Sequence, residues 1–435
     1  MGPDGRIYFY GRFEDAGGDP TADNLAVYDP VTGSVVGIGS DGAGNGALND
    51  RVRAITWVKG VLYVGGSFSN FGGLAAWNGT AWAGRGGFSG TVYSLAAANG
   101  YLYVAGLFTN AGGAATADRL GVWDGYTWTG LGDNGSGDGA LNNLVYSVQA
   151  LSDGRVFVGG AFTNAGANID ADFGAWWDPD LLGGTPGWEK IGTGPGSPLA
   201  DNVNTVAIVG SRVIVGGDFE NAAGIAQADF IAEWTGTAWI AYGSDVAGTN
   251  GALGAPAFTI SPYGSNVLVG GAFDDAAGVV AADRIASWNG SRWVSLGSPL
   301  PSGYVTSVNA SGRSAYITGG FADLAGIAEA DHIAVFGLPA APSAPRVLAG
   351  VAGTKKVSLS WSAPSASNGA SITDYVIQYR KSGSSTWLTF NDGVKTSRSA
   401  TVTGLSSGST YQFRVQAKND WGTGASSGTV TVRAR

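Results

Sequence analysis

Short apolar runs, roughly four to eight residues each, punctuate the chain from Ile7 to about Gly337, and nearly every run stops at glycine. "LYVGG" from Leu62, "VFVGG" from Val156 and "VLVGG" from Val267 are examples. Val-, Ile- and Tyr-rich runs bounded by Gly, Asn and Asp read as β-strands joined by tight turns. "WNGTAW" (Trp77 to Trp82), "WDGYTW" (Trp123 to Trp128) and "WNGSRW" (Trp288 to Trp293) place Asn-Gly or Asp-Gly between two runs. That is a hairpin signal, because both central residues of the favoured turn need φ > 0.

The runs are copies of one unit. Its glycine-ended strand begins near residues 7, 62, 102, 156, 213, 267 and 315, at intervals of 55, 40, 54, 57, 54 and 48. A loop ending in "AD" follows, with Asp23, Asp118, Asp172, Asp229, Asp283 and Asp331. Then come a short strand, the Trp hairpin, a Gly-rich loop and a strand such as "TVYSLAA". Four antiparallel strands in roughly 50 residues predict one propeller blade. The glycine pair is expected where a Cβ would obstruct neighbouring backbone. The first unit lacks its first strand and the last lacks an obvious fourth. "VGG" with Trp on the following strands resembles kelch-type and related bacterial or phage repeats. The resemblance implies an all-β fold, a seven-bladed β-propeller of four-stranded blades over residues 1–338. A six-bladed ring with leftover strands is the alternative.

"LPAAPSAP" reads as a Pro/Ala linker over 339–345, and there the repeat ends. Residues 346–435 read as about seven alternating strands. "VSLSWSAP", "DYVIQYR" and "VTGLSSGSTYQFRVQAKNDWGTG" resemble a fibronectin type III β-sandwich. The resemblance implies that Trp361 and Leu405 are core residues and that Tyr411 forms the tyrosine corner.

Composition narrows the function. Glycine numbers 74 of 435 residues, charged residues are 13%, and cysteine is absent, which removes disulfides, thiolate nucleophiles and Cys-based metal sites. The start "MGPDGRIYFYGR" carries no signal-peptide pattern, and no 18-residue apolar run is present. The net charge of −9 is split into −17 for residues 1–345 and +8 for residues 346–435. The acidic part should repel nucleic acid and anionic membranes. The basic part is expected to touch an acidic surface, or to dock on its own acidic neighbour.

Candidate chemistry is sparse. His332 falls at a variable repeat position and reads as a loop residue. "GGAFTNAG" lacks the Lys and Ser/Thr of a phosphate loop. "DNGSGDG" (Asp133 to Gly139) and "SDGAGNG" (Ser40 to Gly46) are oxygen-rich but miss the calcium-loop spacing, so side chains capping backbone are expected. Trp77, Trp123, Trp176, Trp234 and Trp288, with Trp82, Trp128, Trp188, Trp239 and Trp293, recur at equivalent positions and suit packing between sheets. No catalytic residue, metal ligand or cofactor is assigned.

Function is sought where copies differ. After Val52, Val92, Val145, Val203 and Val305 stand Arg53, Tyr93, Tyr146, Asn204 and Thr306. With Arg51 they form the candidate ligand-binding set, at the mouth of the expected central channel. Trp57 and Arg85 are also off-pattern. Aromatic and Arg/Asn groups at a concave mouth suit a sugar or an anionic glycan. The expected role is a non-catalytic extracellular or virion-surface binding or structural protein, of phage-tail or adhesin type. Its partners would be a cell-surface glycan or protein, or neighbouring virion proteins, with possible homo-oligomers within an assembly. A secreted carbohydrate-active enzyme or its binding module is the alternative.

Overall fold

The computed structural model describes residues 2–296, 303–322 and 332–435. Asp331 lies outside them. The repeat region forms seven antiparallel sheets in chain order. The first holds β1 (Ile7–Tyr10), β2 (Leu25–Tyr28) and β3 (Val35–Gly37). The second holds β4 (Val52–Val58), β5 (Val61–Gly66), β6 (Leu74–Trp77) and β7 (Trp82–Gly84). The third holds β8 (Thr91–Ala98), β9 (Tyr101–Leu107), β10 (Leu120–Trp123) and β11 (Trp128–Thr129). The fourth holds β12 (Val145–Ala150), β13 (Val156–Gly160), β14 (Gly174–Asp178) and β15 (Gly187–Lys190). The fifth holds β16 (Val203–Val209), β17 (Arg212–Gly217), β18 (Ile231–Trp234) and β19 (Trp239–Ala241). The sixth holds β20 (Ala257–Tyr263), β21 (Asn266–Gly271), β22 (Ile285–Trp288) and β23 (Trp293–Val294). The seventh holds β24 (Val305–Ser311), β25 (Ser314–Gly319) and β26 (Ile333–Gly337).

This corrects the expected seven-bladed ring of four-stranded blades. Among the described residues five sheets have four strands and two have three, and every ladder ends within its own sheet. Among the described residues no closed sheet forms. The chain is all-β, built from separate three- to five-stranded sheets, and the kelch-type resemblance does not carry over to a closed propeller. Hairpins are local and follow from turn chemistry. Closure needs a pairing between distant ends, which a repeat pattern does not encode.

The first strands of successive sheets lie side by side from β4 through β24. Apolar clusters fill the space between sheets, as where Tyr103, Leu120 and Val122 of the third meet Val145, Val156 and Val158 of the fourth. The glycine pair explains the spacing. A Cβ on Gly65 would fall closer than 3.0 Å to Val92 of the next sheet, and one on Gly66 equally close to the Arg51 carbonyl of its own ladder. The paired indoles pack between sheets too. Trp82 Nε1 donates to Ile38 O (2.7 Å), Trp188 Nε1 to Leu131 O (2.8 Å) and Trp293 Nε1 to Tyr242 O (2.6 Å). One assignment is corrected: Trp177, not Trp176, pairs with Trp188, and Trp176 packs edge-on to Phe157.

The C-terminal sandwich packs β27 (Arg346–Gly353), β28 (Lys356–Ser362) and β31 (Ser399–Thr403) against a second sheet. That sheet contains β29 (Asp374–Lys381), β30 (Leu388–Phe390), β32 (Thr410–Asn419), β33 (Gly422–Ser426) and β34 (Val430–Arg433). Trp361, Leu405 and Tyr411 are buried in its core, and the Tyr411 hydroxyl accepts from Ser406 N at 3.0 Å. Within the Pro/Ala segment Ala340 N donates to Asn368 O and Ser343 N to Ala366 O, and just before it Leu338 N donates to Arg313 O.

Candidate functional site

The residues that break the repeat share one backbone device. In the second to seventh sheets the ladder between first and second strands slips by one residue. The slips fall at Arg53, Tyr93, Tyr146, Asn204, Phe258 and Thr306. Each is therefore the extra residue of a β-bulge, a feature that re-aims a side chain out of the regular alternation. Its cause is visible in the second glycine of the pair, which admits the carbonyl before the bulge: Ser67 N donates to Arg51 O, and Asp218 N to Asn202 O.

Because the first strands are neighbours, the bulge residues form a row. The Arg53 guanidinium lies over the Tyr93 ring, 4.5 Å from its centroid, and its Nε donates to Ser67 Oγ. Tyr93 meets Tyr146 edge-to-face at 5.6 Å. Asn204 Nδ2 donates to Asp218 Oδ1 at 3.1 Å, and Asn202 Nδ2 to Asp218 Oδ2 at 3.2 Å. Burial first, then the field of Tyr93, Asp218 and Asp201, pushes the Tyr146 phenol above its ordinary value. It stays a neutral hydrogen-bond donor at physiological pH. The row thus runs from a cation through two aromatic rings to a carboxylate. It can stack, donate and accept.

The other candidates are placed apart. Thr306 donates to Thr318 O within its own sheet, beyond Phe258, which faces Tyr304 at 6.5 Å. Arg51 contributes its carbonyl to the ladder, and its side chain is exposed. Two members escaped the sequence reading. Phe258 follows Ala257 instead of the usual Val, which hid it. Asp218 stands between the glycine pair and Phe219, where other copies carry Ser67, Leu107, Ala161 and Ala272. Aligning that position would have found it.

The oxygen-rich loops hold themselves. Asp41 Oδ1 accepts from Ala43 N and Asn45 N, and Asp133 Oδ1 from Gly135 N. The recurrent Asp pins its own loop: Asp229 accepts from Asn221 N (2.7 Å) and Gly251 N (2.9 Å), and Asp23 and Asp283 repeat the first bond. His332 Nδ1 lies 3.1 Å from Gly319 O, at a loop position with φ 60°. Among the described residues no helix is long and apolar enough to cross a membrane.

Comparison with known proteins bears on the C-terminal part. Protein turtle of Drosophila melanogaster is 37% identical over 93 residues, 21% of this chain and 6% of that protein. The M-protein of striated muscle of Gallus gallus is 39% identical over 69 residues, 16% of this chain and 5% of that protein. The chain thus spans only a small fraction of these relatives' length. Among solved structures, titin kinase with its flanking domains is 26% identical with a TM-score of 0.21, covering 22% of this chain and 18% of that one. The chicken CNTN1 FN1–FN3 domains are 27% identical with a TM-score of 0.20, covering 22% and 33%. The fibronectin type III family model matches residues 340–433, the span of the sandwich and its tyrosine corner. Residues 340–433 are a fibronectin type III domain.

Proposed function

We propose that this chain is a non-catalytic binding or structural protein that acts outside the cell or on a virion surface, as an adhesin or tail component. In this reading the repeat region, through residue 338, carries the recognition surface, and the fibronectin type III domain from 346 holds it in place. The partner is a cell-surface glycan or protein met by Arg53, Tyr93, Tyr146 and Asn204. The observation that carries the reading is the bulge row. Six successive sheets share one backbone device, and only the side chains it presents vary. A scaffold that repeats its backbone and varies its presented groups is suited to recognition.

A glycan array and a whole-cell binding assay test it. Arg53→Ala and Tyr93→Ala, each removing one half of the stacked pair, should weaken binding about tenfold. Unchanged binding by both variants overturns the site. Turnover of a bound glycan overturns the non-catalytic role.

A further inference from the structure

A second place where the repeat breaks is the groove between the second and third sheets, of about 740 Å³. Such a volume suits one or two sugar rings. Where other copies carry Ile38, Leu131, Ile191, Tyr242 or Leu296 just past the last strand of the sheet, the second carries Arg85. The loop that follows is also shorter, six residues from Arg85 to Gly90. Phe88 of this loop is buried against Trp128, edge-to-face at 5.2 Å. The core is thereby filled without Arg85, which lines the groove with its Nη1 donating to Gly84 O at 3.2 Å.

The break also frees an indole. Trp82, Trp188 and Trp293 give their N–H to a carbonyl of the preceding sheet, and Trp239 Nε1 is sealed without a partner. Trp128 Nε1 is neither bonded nor sealed among the described residues, and it faces Gly112, where a Cβ would stand 3.0 Å away. Ala223 and Ala277 occupy the corresponding place in the fifth and sixth sheets. Tyr126, 89% exposed, stands at the rim beside Thr127. No carboxylate lines the groove, although the surrounding segment carries −17. Nearby Asp124 spends its oxygens on Tyr126 N, Thr127 N and Thr127 Oγ1.

The chain holds its own precedent. The equivalent groove between the fifth and sixth sheets, lined by Trp288, Trp293 and Arg292, already receives an acid: the Asp420 carboxylate, paired with Arg292. We propose that the groove at Arg85 binds an acidic pyranose, a hexuronic acid residue of a polysaccharide. Arg85 takes the carboxylate, Trp128 and Tyr126 present aromatic surface to the ring, the free indole N–H donates to a ring substituent, and the Thr127 oxygen, whose proton goes to Asp124, accepts from a sugar hydroxyl. An aromatic wall, a cation, one free N–H and one accepting hydroxyl match a charged sugar better than a peptide, which needs an unpaired strand edge or a deep anchor pocket. This site is separate from the bulge row, and either can fail without the other.

Calorimetric titration of the full chain with tetragalacturonate tests the site, with methyl glucoside and N-acetyl-aspartate amide as contrasts. Tetragalacturonate should bind, and both contrasts at least about tenfold more weakly. Arg85→Leu, which restores the residue type of Leu131, should lower affinity about tenfold or more without lowering the melting temperature. Tyr126→Ala, at an exposed rim where folding is not at stake, should lower it several-fold. Val394→Ala, in an exposed loop of the fibronectin type III domain, should leave it unchanged. Absence of tetragalacturonate binding, equal binding of the neutral glucoside, or full affinity in Arg85→Leu overturns the proposal. Equally tight binding of the aspartate amide would make the groove an acidic-peptide site and also overturns it.

Discussion

Gly66 shows what the glycine pair is for. Its neighbour across the ladder is the carbonyl that precedes a bulge, and a methyl group there would collide with backbone that cannot move independently. Gly217 faces Asn202 O and Gly271 faces Pro256 O in the same way. Gly66→Ala should therefore destabilise the protein by about 1–3 kcal/mol, the range for forced overpacking. Gly254→Ala meets nothing within 4 Å and should be neutral or slightly stabilising. Thermal melts of the two variants compare them directly. Sequence foretold this glycine role, because seven copies exclude a unique chemical use. It did not foretell the left-handed residue after each recurrent Asp. Asn24, Arg119, Phe173, Phe230, Arg284 and His332 all sit near φ 60°. Variable side chains there concealed a constant backbone, since no glycine or consistent asparagine announced it.

Single strands carry exceptions of their own. β18 buries a carboxylate, Glu233, at a position held by Ala76, Val122 and Ser287 in other sheets. Arg212 grips it with two hydrogen bonds of 2.5 Å, and the Tyr242 hydroxyl donates at 2.7 Å. Burial, then the bond to Glu233, raises the Tyr242 phenol far above its ordinary value. Arg212→Met leaves the buried carboxylate with the Tyr242 bond alone and should cost about 2–4 kcal/mol, less than a fully buried pair because the Arg212 side chain is partly exposed. Glu233→Val with Tyr242→Leu copies the third sheet's Val122 and Leu131 and should cost much less than the single change. A double-mutant cycle by chemical denaturation separates the two. Loop carboxylates set the acid limit. Backbone N–H groups of Thr21 and Gly37, with the Thr21 hydroxyl, hold Asp19 below the ordinary 3.8, and similar bonds lower Asp41, Asp124 and Asp245. A depressed folded pKa means that the unfolded chain takes the proton first as pH falls. Stability from these groups is thus full above about pH 4 and is lost below it. The melting temperature should be flat from pH 7 to 5 and drop below pH 4, with a smaller drop in Asp19→Asn. Strands and hairpins were legible because period and turn residues are local. The bulges were not, since one extra residue leaves the apolar pattern nearly intact.

Across the whole molecule, charge gives a misleading picture of how the fibronectin type III domain is seated. The segment totals, −17 and +8, suggest a basic domain drawn to an acidic one. Docking is present, but the ion pair at the contact has the opposite sense: Asp420 of the basic domain meets Arg292 of the acidic segment. Asn289 Nδ2 adds a bond to the Asp420 carbonyl at 3.1 Å. Beside them Trp421 is buried with Leu268, Val308 and Leu338, edge-on to Tyr263 at 6.0 Å. A total charge sums over distances longer than the screening length of about 8 Å in physiological salt. A buried indole acts only by contact, and its place in a turn after β32 is invisible to composition. Apolar burial should therefore dominate. Trp421→Ala should remove about 3–5 kcal/mol and release the domain. Small-angle scattering would then show a longer molecule, and calorimetry would show two transitions in place of one. Asp420→Asn breaks a partly exposed pair and should cost no more than about 1 kcal/mol. If docking rested on the opposite totals instead, 1 M salt would separate the domains in the unmodified chain. With Trp421 as the anchor, the scattering profile should be the same at 0.05 M and 1 M salt.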